Sequence, residues 1–91
     1  MSQNLPSSLH LKIITPRLLL ADAEVDEVSL PTLEGLIGVF PGHRPLVVAL
    51  GHGTLTYRLG TSEESFMVKG GYAEILPDKV SVITEVSSDK N

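Results

Sequence analysis

No stretch of ten residues in this 91-residue chain keeps the 3.6-residue apolar repeat that an amphipathic helix requires. Short apolar runs take its place, cut apart by Gly, Pro, Asp and Ser. Leu9-His10-Leu11-Lys12-Ile13 alternates apolar and polar with the period of a half-buried strand. Pro16 ends that run and Arg17 to Ala21 begins another. Between Ala23 and Leu30 the alternation slips, because Ala23 and Val25 share one parity and Val28 and Leu30 the other. A β-bulge near Asp26-Glu27 would restore inward aim to both halves. Pro31-Thr32 closes that strand. Further on, Leu55, Tyr57 and Leu59 alternate with Thr54, Thr56 and Arg58, after a turn at Gly51-His52-Gly53. Gly60 to Glu64 reads as a hairpin loop, with Glu63-Glu64 at its solvated tip. Ser65 to Lys69, Tyr72 to Leu76 and Val80 to Thr84 are further strands, separated by Gly70-Gly71 and Pro77-Asp78. About nine strands and no helix predict an all-β fold, an antiparallel sandwich or barrel. Apolar residues on both faces of segments such as Leu46 to Leu50 favour the sandwich. The domain is expected over 9–85, with a flexible polar N-terminus at 1–8 and a frayed C-terminus at 86–91.

One connection stands out from the others. Leu36 to Phe40 and Leu46 to Leu50 read as two buried strands flanking Pro41-Gly42-His43-Arg44-Pro45. Each proline fixes φ at about −65° and removes a backbone donor, so neither suits the middle of a paired strand. Gly42 can take the positive φ that a sharp turn needs. The expected result is a stiff loop presenting His43 and Arg44 side by side as a contact surface.

Composition narrows the function classes. Apolar residues make up 42% and charged residues 20%, ordinary for one small folded domain and wrong for disorder. The net charge of −4 and the scatter of seven Lys and Arg residues argue against nucleic acid. The absence of cysteine removes disulfides and thiolate zinc sites and fits a reducing compartment. No secretory pattern opens the chain, and no run reaches the ~18 apolar residues of a membrane span. The expectation is a soluble domain that can still dock on a membrane complex. The acidic cluster Asp22, Glu24, Asp26 and Glu27 reads as a solvated strand edge, or as a patch that steers a basic partner.

Catalytic patterns are missing. His10, His43 and His52 have no metal-ligand spacing, the glycines lack the Lys and Ser/Thr of a phosphate loop, and there is no G-x-S-x-G elbow. No catalytic residue, metal or cofactor is expected, and His43 reads as structural or contact-making. From the residues alone the chain is a small acidic β-sandwich with one stiffened loop, an interaction module. Two other classes stay open. A stand-alone module binding a small molecule or carbohydrate would need a concave pocket lined by Phe40, Tyr57, Phe66 or Tyr72. A hydrolase would need a triad assembled from distant Ser, His and Asp.

The wording of the stiff loop and its flanks adds more. Glu34-Gly35, Ile37-Gly38, Pro41-Gly42-His43 and Pro45-Leu46 together resemble the E-G-x-x-G-h-x-P-G-H-x-P-L motif (h an apolar residue) of the epsilon subunit of F-type ATP synthases. Similar pieces lie around it in the same order. They are LKIITP at Leu11 to Pro16, the acidic pair Asp26-Glu27 before Val28, Gly53-Thr54-Leu55, VKGGYAEI at Val68 to Ile75, and the closing Val80 to Thr84. The resemblance covers roughly residues 9–85.

That resemblance implies a sandwich of about ten short strands in two five-stranded sheets. It implies a non-catalytic rotor subunit at the foot of the central stalk, clamping gamma to the c-ring and reaching the catalytic alpha/beta head only indirectly. Proton transport would thereby be coupled to ATP synthesis. The implied setting is peripheral, on the cytoplasmic face of a bacterial energy-transducing membrane or the stromal side of a thylakoid. By the same resemblance Glu34, Leu36, Pro41, Gly42, His43 and Arg44 are the expected interface with gamma and the ring, at one end of the sandwich. Leu36 departs from the pattern, since a polar side chain often precedes the Ile37-Gly38 pair, and an apolar contact is the substitute expectation. Most members continue into a helical hairpin linked to inhibition of ATP hydrolysis. A chain stopping at Asn91 is expected to assemble and couple without hairpin-dependent inhibition.

Overall fold

The computed structural model describes residues 6–85. Within them nine strands follow one another: β1 (Leu9–Ile14), β2 (Leu19–Val25), β3 (Glu27–Thr32), β4 (Gly35–Val39), β5 (Leu46–Ala49), β6 (His52–Leu59), β7 (Ser62–Lys69), β8 (Tyr72–Leu76) and β9 (Lys79–Ile83). They form a five-stranded sheet ordered β2-β1-β9-β8-β5 and a four-stranded sheet ordered β4-β3-β6-β7. The all-β sandwich is therefore present, with nine strands in sheets of five and four where the resemblance implied ten in two fives. The pairing is antiparallel with one exception, since β1 and β9 run parallel. Of the expected flexible N-terminus at 1–8, residues 1–5 lie outside the described part, as do the expected frayed residues 86–91.

One aliphatic layer lies between the sheets. Leu9, Leu11 and Ile13 of β1 meet Val80 and Val82 of β9 and Ala73 and Ile75 of β8 on one side. Val28 and Leu30 of β3, Val39, Leu55 and Val68 supply the other. Strict alternation along β1, β8 and β9 aims every second side chain inward, which is what the period-2 pattern predicts. The ring of Tyr57 stacks on Phe66 at a centroid distance of 6.2 Å, and both pack against this layer.

The slip in alternation between Ala23 and Leu30 has a different cause from a bulge. Val25 ends β2 in the first sheet and Glu27 begins β3 in the second, so the chain changes sheets at Asp26. Each half keeps its own inward parity because the two halves face the core from opposite sides. Asp26 N–H donates to the Arg58 carbonyl at 2.7 Å, and the Asp26 carboxylate accepts from Gly60 N–H at 2.8 Å. The β1–β2 ladder does contain an irregularity, between Ile13 and Ile14. Other turns shift as well. His52 and Gly53 belong to β6, and Gly60-Thr61 alone turns the chain, so Glu63 and Glu64 sit on β7 opposite Arg58 and Tyr57.

The two strands expected to be buried around the stiff loop are edge strands. β4 ends the four-stranded sheet and β5 ends the five-stranded one; on β5 all but Val48 are exposed, and on β4 Leu36 is exposed, Ile37 half-buried and Val39 alone fully buried. A continuous apolar run cannot be told from a two-faced core strand by periodicity.

One end of the sandwich is laced across the sheets. Gly51 N–H donates to Pro31 O, Leu33 N–H to Ala49 O, Gly70 N–H to Gly51 O, and Lys69 N–H to Glu85 O. The buried Thr84 hydroxyl donates to Gly70 O at 2.5 Å. Gly71, at φ 102°, lets the chain pass so close that a Cβ would overlap the Ile83 carbonyl oxygen and lie 2.9 Å from Thr84 Cα. Gly60, at φ 62°, has open space around it. Gly71→Ala is therefore expected to destabilise by roughly 2–5 kcal/mol, from positive-φ strain plus overlap, and Gly60→Ala by only about 1–2 kcal/mol. Urea midpoints at unchanged slope check this, and equal losses would refute the close approach. The same measurement tests the edges. Val47→Thr on β5 should stay within about 0.5 kcal/mol, while Ile75→Ala on the paired strand β8 should cost about 2–5 kcal/mol.

Candidate interaction surfaces

The three histidines sit apart. His10 is on the outer face of β1, His43 is in the loop after β4, and His52 begins β6. No group of three or more potential metal-ligating side chains gathers among the described residues. The acidic cluster divides at the sheet change. Asp22 and Glu24 flank His10, whereas Glu27 accepts from Arg58 Nη2 at 2.7 Å and Asp26 lies 3.5 Å from Arg58 Nη1. Asp22 and Glu24 lie exposed on edge strand β2, as the solvated-edge reading expects, whereas Asp26 and Glu27 stand at the sheet change and pair with Arg58. The four aromatics do not line a common hollow: Tyr57 and Phe66 stack on each other, while Phe40 and Tyr72 project separately.

The stiff loop is built as its sequence predicts. Gly42 takes φ 92° and its N–H donates to Pro77 O at 2.8 Å, tying the loop to the β8–β9 turn of the other sheet. The His43 N–H donates back to Phe40 O, and its ring Nδ1 lies 2.7 Å from Arg44 O, the geometry of an Nδ1–H donor. That contact holds the ring half-buried and leaves Arg44 exposed.

The six expected interface residues do not form one patch. Glu34 lies in the β3–β4 turn, where the Thr32 hydroxyl donates to Gly35 O at 2.5 Å and accepts from Glu34 N–H at 3.1 Å. Pro41 to Arg44 lie beyond the other end of β4. The five residues of β4 lie between Glu34 and that loop, a span of about 17 Å. The structure thus places Glu34 and Leu36 toward the laced end, and Pro41, Gly42, His43 and Arg44 at the opposite end.

Apart from Leu36, the exposed apolar side chains mark surfaces that the pattern missed. Leu33 is 72%, Leu36 68% and Val47 65% exposed. Leu33 and Val47, with Leu46, border the open side of the sandwich between β4 and β5, where a groove of about 500 Å³ is lined by Leu33, Glu34, Ile37, Leu46, Val47 and Val48, while Leu36 has the opposite parity on β4. The opposite open side, between β2 and β7, holds a groove of about 680 Å³ whose lining includes Pro16, Arg17, Leu18, Leu20 and Phe66. A third feature comes from register. Ile14 pairs with Ile83, Ile83 with Tyr72, and Tyr72 with Ala49, so an apolar row crosses β1, β9, β8 and β5 on the outer face of the larger sheet. In sequence these residues are scattered over 70 positions (Ile14 to Ile83), and only the pairing aligns them.

Comparison with known proteins agrees with this architecture. Residues 8–88 match the family described as ATP synthase, Delta/Epsilon chain, beta-sandwich domain. The chain is similar to the ATP synthase epsilon chain of Solibacter usitatus, 42% identical over 83 residues that cover 91% of this chain and 62% of that one. It is also similar to the epsilon chain of Alkalihalophilus pseudofirmus, 37% identical with 89% and 61% covered. It thus spans about three-fifths of the length of these curated relatives. Among solved structures, a chain of the Euglena gracilis mitochondrial ATP synthase (OSCP/F1/c-ring) superposes with a TM-score of 0.86 at 22% identity, covering 100% of this chain and 61% of the other. A chain of the Tetrahymena thermophila central stalk/c-ring structure gives 0.72 at 16% identity, covering 90% and 66%. At these identities the structural likeness speaks for the fold, while the matched sequence and motif speak for descent. The chain belongs to the ATP synthase delta/epsilon family, as its beta-sandwich domain.

Proposed function

We propose that this domain is a non-catalytic part of the central stalk of an F-type ATP synthase, clamping gamma to the c-ring and so coupling proton transport to ATP synthesis. The observation that carries the reading is the family match over nearly the whole domain. Its relatives are epsilon chains, and its fold recurs in an OSCP/F1/c-ring assembly and in a central stalk/c-ring assembly of mitochondrial ATP synthases. The setting in this reading is peripheral, at the cytoplasmic face of a bacterial membrane.

The surfaces supply a division of labour. Because Glu34 and His43-Arg44 lie at opposite ends of β4, one partner cannot seat on both through a single small contact. The Thr32–Leu36 turn, with Leu33 and Leu36 exposed, is assigned to the ring. The apolar row Ile14-Ile83-Tyr72-Ala49 and the His43-Arg44 loop are assigned to gamma. An apolar row aligned by strand pairing suits a flat, load-bearing contact, since apolar burial supplies the main driving force of association. Leu36 replaces a polar contact by an apolar one, so its partner surface is apolar as well.

The test is assembly in membranes. Leu36→Glu should weaken retention on the ring, and His43→Ala with Arg44→Ala should weaken co-purification with gamma, each leaving the unfolding midpoint of the isolated chain nearly unchanged. Tyr72→Glu should impair gamma capture more than ring retention. Full assembly with all of these replaced would overturn the assignment, and a chain never recovered with gamma or the ring would overturn the clamp itself.

A further inference from the structure

Strand β1 holds His10 on the outer face of the larger sheet, directly opposite Glu24 of β2 and diagonal to Asp22. The ring Nδ1 lies 2.7 Å from Glu24 Oε2, and Nε2 lies 2.5 Å from Asp22 Oδ1. Ionised carboxylates only accept hydrogen bonds, and a neutral imidazole owns one N–H. One of the two contacts would then set a nitrogen lone pair against a carboxylate oxygen. Both can be hydrogen bonds only when the ring carries two protons, as imidazolium. The other Glu24 oxygen accepts from the Ser8 hydroxyl at 2.6 Å, which fixes the carboxylate in place. From the neighbouring elements, Lys79 of β9 stands opposite His10 and Lys12 follows it along β1. Asp78, in the β8–β9 turn, accepts the His10 backbone N–H at its carbonyl. Among the described residues neither lysine makes an ion pair with Asp22 or Glu24, so the imidazolium is the cation that bridges them.

We propose that His10, Asp22 and Glu24 form a proton-operated clasp that fastens edge strand β2 to β1, closed when the ring holds both protons and loosened when it loses one. An edge strand has ladder bonds on one side only, so side-chain ties count for more there than in the sheet interior. The consequence reaches the surface. The Thr15–Leu18 corner leads into β2 and forms one wall of the 680 Å³ groove, with Leu20 of β2 beside it. Loosening β2 therefore alters the shape of that groove.

Charge linkage runs in the matching direction. Hydrogen bonding to Glu24, then to Asp22, raises the His10 pKa above its ordinary value. The Ser8 hydroxyl, then His10, lowers that of Glu24. The histidine's contribution to stability is complete below the ordinary histidine pKa and is lost as pH rises through the raised one. The contribution of Glu24 is complete above the ordinary glutamate pKa and is lost as pH falls through the lowered one. The clasp is closed between these limits.

Nuclear magnetic resonance of the 91-residue chain with isotope-labelled histidine tests this. In the closed state both His10 ring nitrogens carry protons, and the titration midpoint lies above that of the Asp22→Asn/Glu24→Gln variant. Amide exchange over Ala21 to Val25, corrected for intrinsic base catalysis, should rise several-fold across the His10 titration while Leu55 and Val68 stay protected. In His10→Asn the same amides should show no such step. An equal midpoint in the double variant, or unchanged β2 protection in the wild-type chain, would each overturn the clasp. The wild-type titration decides the matter even if a variant fails to fold.

Discussion

Two sheets can stay together only if the layer between them is continuous, and here that layer is thin and almost purely aliphatic. Its fully buried members are Leu, Ile and Val, with Ala at the tighter places. Branched side chains have few rotamers, so a layer made of them resists sliding. No buried side-chain polar atom lacks a partner among the described residues, so nothing in the layer works against closure. The same economy explains what the domain leaves uncovered. Five strands stacked on four cannot match at both sides, and β5 contributes no fully buried side chain. The open sides and the apolar edges are consequences of a core just large enough to hold the sheets.

Closure at one end complements that layer. Backbone hydrogen bonds run between strand ends of the two sheets, from Gly51 to Pro31, from Leu33 to Ala49 and from Gly70 to Gly51. Thr84 and Gly71 bring the last strand close enough to join them. At the opposite end the ties are fewer: Gly42 to Pro77, and the Asp26 corner pinned by Arg58 and Gly60. Shear between the sheets is resisted at both ends by directional bonds, and between the ends by packing. A body built this way resists deformation, which is what the proposed coupling role would require.

Much of this was legible before the structure. Alternation along Leu9–Ile13 and Val80–Ile83, and the Gly-Gly and Pro-Asp breaks, carry the strand order directly, because period 2 and turn chemistry are local. The Pro-Gly-His-x-Pro loop was legible for the same reason. Three things were not. The slip at Asp26 looks the same whether a strand bulges or changes sheets, since parity reverses in both cases. LVVA at Leu46 to Ala49 looks the same in a core strand and on an apolar edge. The distance between Glu34 and His43 follows from β4 being straight, yet motif adjacency reads as spatial adjacency. The apolar row Ile14-Ile83-Tyr72-Ala49 and the His10 contacts depend on register across several strands, which no local pattern encodes.

The exposed edge at β5 also limits how a partner can bind there. In a strand the N–H and C=O of one residue point to the same side, and successive residues alternate. Leu50 N–H donates to Gly71 O on the β8 side, whereas Ala49 O accepts Leu33 N–H on the open side. Val47 shares the parity of Ala49 and is the one residue of β5 offering both backbone groups outward. Pro45, two residues earlier, has no N–H to give. A strand from another chain would find a single unobstructed residue, too little for sheet extension. The side chains of Leu46 and Val47 remain available while the backbone does not. Contacts at this edge are therefore made by side chains packing face-on, the mode that suits a folded neighbour, and the edge is guarded against the strand pairing that leads to aggregation.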